Sequence, residues 1–135
     1  MENLYFEGNS IDHDYRPTVE LDVETGKCEF SGLSYPWDPV SFYVPIIDWI
    51  KRYTKEQVKP ITFNMKMEGF NTTSGAKLME IFRMLERYDA QEGKVIIHWF
   101  YEEEDDDMLE AGQDFKRILK IPVILSIKEE EFDNE

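Results

Sequence analysis

The residues best placed to do chemistry lie in the segment Phe70-Asn71-Thr72-Thr73-Ser74-Gly75. Three consecutive hydroxyls stand where an alternating apolar run hands over to a helical pattern. A helix start exposes unpaired N–H groups and carries a partial positive charge. Hydroxyl side chains cap such an end well, and an anion placed there is stabilised. A phosphate on one of the three would bring roughly −1.5 to −2 charges and three acceptor oxygens. The helix end would stabilise it by only about 0.3–1 kcal/mol, rising to ~2 kcal/mol if partly buried. On a surface that docks a partner the same charge weighs more, because burying an unpaired charge costs several kcal/mol. The plainer account of the segment is an ordinary N-cap, and residue types alone leave both open.

Other polar groupings carry less. The acidic run Glu102 to Asp107 offers oxygens to a hard cation, but it lacks the glycine and ligand spacing of an EF-hand loop. A solvated loop entering a helix N-terminus, where acids are favoured, explains it better. His13 sits in Asp12-His13-Asp14 with no second His or Cys at ligand spacing. His98 lies inside an apolar strand and reads as a core or interface histidine. Cys28, beside Glu29 and with no local base, reads as structural, since a reactive thiolate needs an electropositive setting. There is no Gly-rich phosphate loop and no nucleophile-elbow motif. Tyr35, Trp37 and Trp99 read first as core residues, with an interface as the alternative. No metal, cofactor or catalytic residue is assigned.

Bulk properties narrow the class. The chain has 135 residues, 41% of them hydrophobic and 14% aromatic, enough for one core without staples. Fifteen Lys and Arg oppose 29 Asp and Glu, a formal net charge of −14. Such a surface repels nucleic-acid phosphates and anionic lipid, so neither is an expected partner. A single cysteine forms no internal disulfide and fits a reducing compartment. No apolar run approaches the ~18 residues of a bilayer span, and no secretory signal is visible. The expectation is a cytoplasmic protein. Residues Glu2 to Gly8 resemble a protease-cleavage tag with Glu where Gln is expected. They also read as a native first strand, with Leu4 and Phe6 on one face.

The elements that must position the hydroxyl segment follow from periodicity. Thr18 to Val23 and Cys28 to Leu33 alternate around Glu24-Thr25-Gly26-Lys27, predicting a hairpin. Asp38-Pro39 opens a helix to about Tyr53 with Phe42, Ile46, Trp49, Ile50 and Tyr53 on one stripe. Pro45 should kink it or delay its regular start. Ile61 to Met67 alternates as a strand, Glu68 to Asn71 connects, and a helix runs from Thr72 to Tyr88. Val95 to Tyr101 is continuously apolar and predicts a central strand covered on both faces. A third helix spans about Asp107 to Leu119, with Met108, Ala111, Phe115 and Ile118 inward, and Val123 to Ile127 closes the order. The sum is β-β-β-α-β-α-β-α-β, an α/β domain built as an open sheet with about three helices packed on it.

The chain resembles the SiaC-like regulatory phosphoproteins. The resemblance rests on an ordered set: Arg16-Pro17, Asp22 to Gly26, Gly32 with Ser34-Tyr35-Pro36, Phe42-Tyr43-Val44-Pro45, Asp48-Trp49, Asn71-Thr72-Thr73-Ser74, His98-Trp99-Phe100-Tyr101, and Met108-Leu109-Glu110-Ala111-Gly112. It implies a single STAS-like domain (similar to anti-sigma-factor antagonists) with a mixed sheet over residues 1–128 and an acidic tail at 129–135. It implies a bacterial phospho-switch rather than an enzyme, with Thr72 the modified residue and Thr73 and Ser74 its rivals. It further implies a protein kinase, a metal-dependent Ser/Thr phosphatase and an output partner such as a diguanylate cyclase in cyclic di-GMP signalling. The expected docking surface is Asn71, Thr72, Thr73, Ser74 and Lys77. Two rival readings are a small enzyme or metal-binding protein using carboxylates, and a constitutive binding subunit that is never phosphorylated.

Overall fold

The computed structural model describes residues 1–57, 59–91 and 93–128, so the expected tail at 129–135 lies outside the described residues. The elements are β1 (Leu4–Phe6), β2 (Asn9–Ile11), β3 (Asp14–Arg16), β4 (Thr18–Leu21), β5 (Lys27–Ser34), α1 (Pro39–Glu56), β6 (Ile61–Phe70), α2 (Thr72–Ala90), β7 (Val95–Tyr101), α3 (Asp106–Ile118) and β8 (Val123–Ile127). Six strands form one mixed sheet in the order β1-β4-β5-β6-β7-β8, and β2 pairs with β3 apart from it. Strands β1, β4 and β5 are antiparallel neighbours, while β5 to β8 are parallel. Apart from the β2–β3 ribbon, the order is the one the periodicity predicts.

The β4–β5 turn is held by Asp22, whose carboxylate accepts the N–H groups of Glu24 and Thr25 at 2.9 and 3.1 Å. Gly26 takes a positive φ of 72° there, with Pro60 O where a Cβ would stand. Parallel strands added in sequence order by right-handed crossovers place every connecting helix on one face. Helices α1, α2 and α3 therefore cover a single side of the sheet. In β7 only Val95, Ile97 and Trp99 are buried, while Ile96 is exposed and His98 and Phe100 are half-buried on the open side. This corrects the expectation of a strand covered on both faces.

The core holds a series of touching rings: Tyr43, Phe30, Phe63, Phe82, Phe115, Trp99 and Phe70, at centroid spacings of 5.0 to 6.4 Å. Both ends of the series lie at the C-terminal edge of the parallel strands. Regular helix in α1 begins at Pro39 and runs through Pro45, so Pro45 does not delay it. In α3 Met108, Gly112 and Phe115 are buried and Ile118 is exposed, its place taken by Leu119. Strand β6 continues to Phe70, which reduces the expected connection at Glu68 to Asn71 to Asn71 alone.

Cys28 is buried. Burial pushes its thiol up to about 12 from an ordinary 9.0. The folded chain thus holds this proton at pH values where the unfolded chain has lost it. Stability is unaffected below about pH 8 and falls as pH rises from 9 toward 12. A thiol reagent at pH 7.5 should leave Cys28 unmodified in native protein and label it fully in denaturant; rapid native labelling would contradict its burial.

Candidate functional site

Helices α1, α2 and α3 all begin where a parallel strand ends, so three helix N-termini share the C-terminal edge of the sheet. Ligands of open α/β sheets bind at that edge. The three caps differ in charge. Asp38 caps α1, bonding Ser41 N at 3.2 Å and Ser41 Oγ at 2.7 Å. Asp105 caps α3, followed by Asp106 and Asp107 in the first turn. The cap of α2 is the neutral Asn71, and its first turn holds no acid. The positive end of α2 alone has no carboxylate at its cap or in its first turn.

Asn71 fixes this end from both sides. Its N–H donates to Ser34 O at 3.1 Å, tying it to the end of β5. Its Oδ1 accepts from Ser74 N at 2.8 Å, and its carbonyl accepts from Gly75 N at 2.9 Å. Gly75 packs closely on Phe70, since a Cβ there would lie 3.0 Å from its ring. Thr72 and Thr73 are exposed and Lys77 is half-buried.

Ser74 is different. It is fully buried, and its Oγ accepts from Ser34 Oγ at 2.9 Å, while Ser34 Oγ lies 2.8 Å from Tyr43 Oη. Ser34 gives its only proton to Ser74, so Tyr43 donates to Ser34. Burial raises the Tyr43 phenol, keeping it protonated for that role. Ser74 is therefore removed from the surface group expected around Thr72, and its hydroxyl belongs to a buried network joining β5, α1 and α2. The 3.6-residue period carries the reason: Ser74 shares the sheet-facing side with Leu78, Ile81 and Leu85, while Thr72 and Thr73 do not. Sequence reasoning missed Ser34 and Tyr43 as its partners. Tyr43→Phe leaves the acceptor side of Ser34 without its donor and should cost about 1–2 kcal/mol in a denaturant titration. Asn71→Ala should cost ~1 kcal/mol as a lost cap.

The β2–β3 ribbon supports the loop before α1. Asp12 and His13 occupy its turn with φ of 51° and 62°. Tyr35 N donates to Tyr15 O at 2.8 Å, and their rings meet edge to face at 6.4 Å. Tyr35 also approaches Gly69, where a Cβ would lie 3.2 Å from its hydroxyl. Trp37 N donates to Asp14 Oδ1 at 2.8 Å; this bond, with Arg16 alongside, holds the Asp14 carboxyl below its usual range. The core reading of two aromatics is corrected: Trp37 is 69% and Tyr35 40% exposed, whereas Trp99 is fully buried and donates to Met108 O at 2.8 Å. Among the described residues no three His, Cys, Asp or Glu side chains converge as a metal site. A depression of about 470 Å³ lies at the other end of β5, by Asn3, Asp22 and Lys27. Among the described residues no helix is long and apolar enough to cross a membrane.

Comparison with known proteins gives this geometry a context. Residues 11–128 match a family model described as SiaC family regulatory phosphoprotein. An uncharacterized protein of Pseudomonas aeruginosa (strain UCBPP-PA14) is 23% identical over 114 residues, covering 84% of this chain and 90% of the relative. The crystal structure of apo-SiaC from Pseudomonas aeruginosa superposes with a TM-score of 0.85 at 22% identity, covering 93% of this chain and 99% of that one. A second crystal structure, of the diguanylate cyclase SiaD in complex with its activator SiaC from the same organism, matches with a TM-score of 0.86 at 22% identity, with the same coverage.

Proposed function

The chain belongs to the SiaC family of regulatory phosphoproteins, and from that premise we propose that Thr72 is its phosphorylated residue and the surface around it the switched docking site. The observation that carries the reading is the exposed Thr72 opening α2 behind an uncharged cap, when the two neighbouring helices are capped by aspartate. A phosphate at Thr72 supplies the anion this helix end lacks. Thr73 is equally exposed and stays the rival site; the match of Asn71-Thr72 to the family run favours Thr72.

The rigid seating of Asn71 defines how the switch works. The cap is bonded to β5, and the buried Ser34–Ser74 pair holds the first turn from below. Phosphorylation thus changes the charge of a fixed surface rather than refolding the helix. The unmodified surface, formed by Thr72, Thr73 and Lys77 around the Asn71 cap, binds an output partner, and the phosphorylated one releases it. A protein kinase adds the group and a metal-dependent Ser/Thr phosphatase removes it. The solved SiaD–SiaC pair supports a diguanylate cyclase as the output partner, with the chain acting as a binding activator and not as an enzyme. The test is cyclic di-GMP production by the diguanylate cyclase of its own cells. Unphosphorylated chain should raise it and phosphorylated chain should not; equal output from both forms would overturn the reading.

A further inference from the structure

Strand β8 closes one side of the sheet and pairs, among the described residues, with β7 alone. Ile97 N donates to Pro122 O at 3.0 Å, and Lys128 N donates to Tyr101 O at 2.8 Å. The even-numbered residues from 122 to 128 therefore turn their backbone groups toward β7. Successive residues of a strand alternate, so Val123, Leu125 and Ile127 turn their N–H and C=O groups outward along the edge. Proteins blunt such an edge with charge, proline or brevity. At the other edge β1 has three residues and stands between Glu2 and Glu7. By contrast β8 has five, Val-Ile-Leu-Ser-Ile, with no charge and no proline among them. Pro122, just before it, directs its backbone toward β7 and leaves the outer edge unblocked.

Two further features gather at this edge. The uncovered face of the sheet is polar across β4 to β6, with Glu20, Glu29, Asn64 and Lys66, and turns apolar toward β8, with Ile96, Phe100 and Ile124. On β8 itself Ile124 is 44% and Ile127 49% exposed. The charges around the strand are divided by direction. The chain enters β8 from Lys116, Arg117 and Lys120 and leaves it into Glu129, Glu130 and Glu131. Within one copy the basic and acidic groups flank opposite ends of a strand about 17 Å long. The macrodipole favours Lys116 and Arg117 in the last turn of α3, but it accounts for neither Lys120 nor the acids.

We propose that β8 pairs antiparallel with β8 of a second copy of this chain, joining two sheets into one. Charge complementarity selects both the occupant and its direction. Antiparallel pairing lays the acidic exit of each copy beside the basic entry of the other, whereas parallel pairing sets acid on acid and base on base. Two chains of net charge −14 repel overall, so association depends on this local match. The outward backbone groups set the register. Leu125 meets the partner's Leu125, and Val123 meets the partner's Ile127, as hydrogen-bonded pairs with roughly six main-chain bonds in all. Ile124 then meets the partner's Ser126 as a closer, non-hydrogen-bonded pair, and the apolar margins of the two open faces become continuous. Helix α2 begins beyond the end of β6, two strands in from this edge. The pairing therefore leaves Thr72 accessible and directs the two Thr72 surfaces to opposite ends of the dimer.

Sedimentation equilibrium of the full chain should show its mass rising with concentration from 16.1 kDa toward twice that value. Ile127→Lys, at an exposed side chain of the edge, should weaken association by roughly tenfold or more. Lys116→Glu/Lys120→Glu should weaken it comparably, as should Glu129→Lys/Glu130→Lys, and the two pairs combined in one chain should recover most of the loss. Register is read by mixing Ile124→Cys chains with Ser126→Cys chains under mild oxidation, with Cys28 buried out of reach. The mixed disulfide should form ahead of either symmetric one, because that pair alone brings its Cα atoms to about 4.5 Å. A monomer at every concentration, association that Ile127→Lys leaves intact, charge variants that fail to rescue each other, or preference for a symmetric disulfide would overturn the proposal.

Discussion

Thr72→Asp should release the output partner, weakening binding by roughly a hundredfold, the factor that ~3 kcal/mol of uncompensated buried charge produces. The substitution puts a carboxylate at the first residue of α2, on an exposed surface whose neighbours Ser74 and Asn71 are locked below it. The fold has no reason to suffer. An acid at this helix end is favoured, so thermal stability should hold or rise by about 0.3–1 kcal/mol. Loss of binding with unchanged or higher stability is the signature of a surface switch. Thr72→Ala should keep binding the partner and resist release by the kinase. Isothermal titration of the partner onto wild type and both variants reads all three; if aspartate and alanine both bind like wild type, Thr72 is not the switch.

Trp99→Ala should be the most damaging single truncation near the site, at about 3–5 kcal/mol and a melting point lower by on the order of 10–20 °C. Trp99 is fully buried, touches Phe70 and Phe115, and donates to Met108 O. It joins the end of β6, immediately before Asn71, to the start of α3. A Cβ on Gly112 would lie 2.4 Å from its ring, so α3 packs directly against it. Differential scanning calorimetry measures the loss. Trp99→Phe, keeping a ring but losing the N–H donor, should recover part of it, and a melting point unchanged by Trp99→Ala would contradict this packing.

The legible part of the structure is the part with a strong period. Helices α1 to α3 and strands β4 to β8 follow from apolar residues recurring at helical or strand spacing. The start of α2 at Thr72 follows from where the alternation ends, but the cap is Asn71 and not one of the hydroxyls to which that role was given. What was not legible has local reasons. Strands β2 and β3 are three residues each and are held by a turn in which Asp12 and His13 take positive φ, so no alternation announces them. The apolar run Val95 to Tyr101 misleads because Ile96, His98 and Phe100 populate an open sheet face that the one-sided helix packing leaves uncovered. Trp37 and Tyr35 are aromatics held outward by backbone bonds to Asp14 and Tyr15, contacts too distant in sequence to be foreseen.

The candidate site shows the same division. Three adjacent hydroxyls look equivalent as a string of letters. On a helix they point in different directions, and Ser74 turns into the core to meet Ser34 and Tyr43. Helical phase could have separated Ser74 from Thr72 and Thr73, since Ser74 is in step with Leu78 and Leu85. No phase argument could have supplied Ser34 as its partner, forty residues away.

The most direct test is tandem mass spectrometry of the chain purified from its own cells with phosphatases inhibited. The account predicts a single phosphate on Thr72 that disappears on treatment with a metal-dependent Ser/Thr phosphatase. A phosphate on Thr73 instead, or none under any condition, would contradict it.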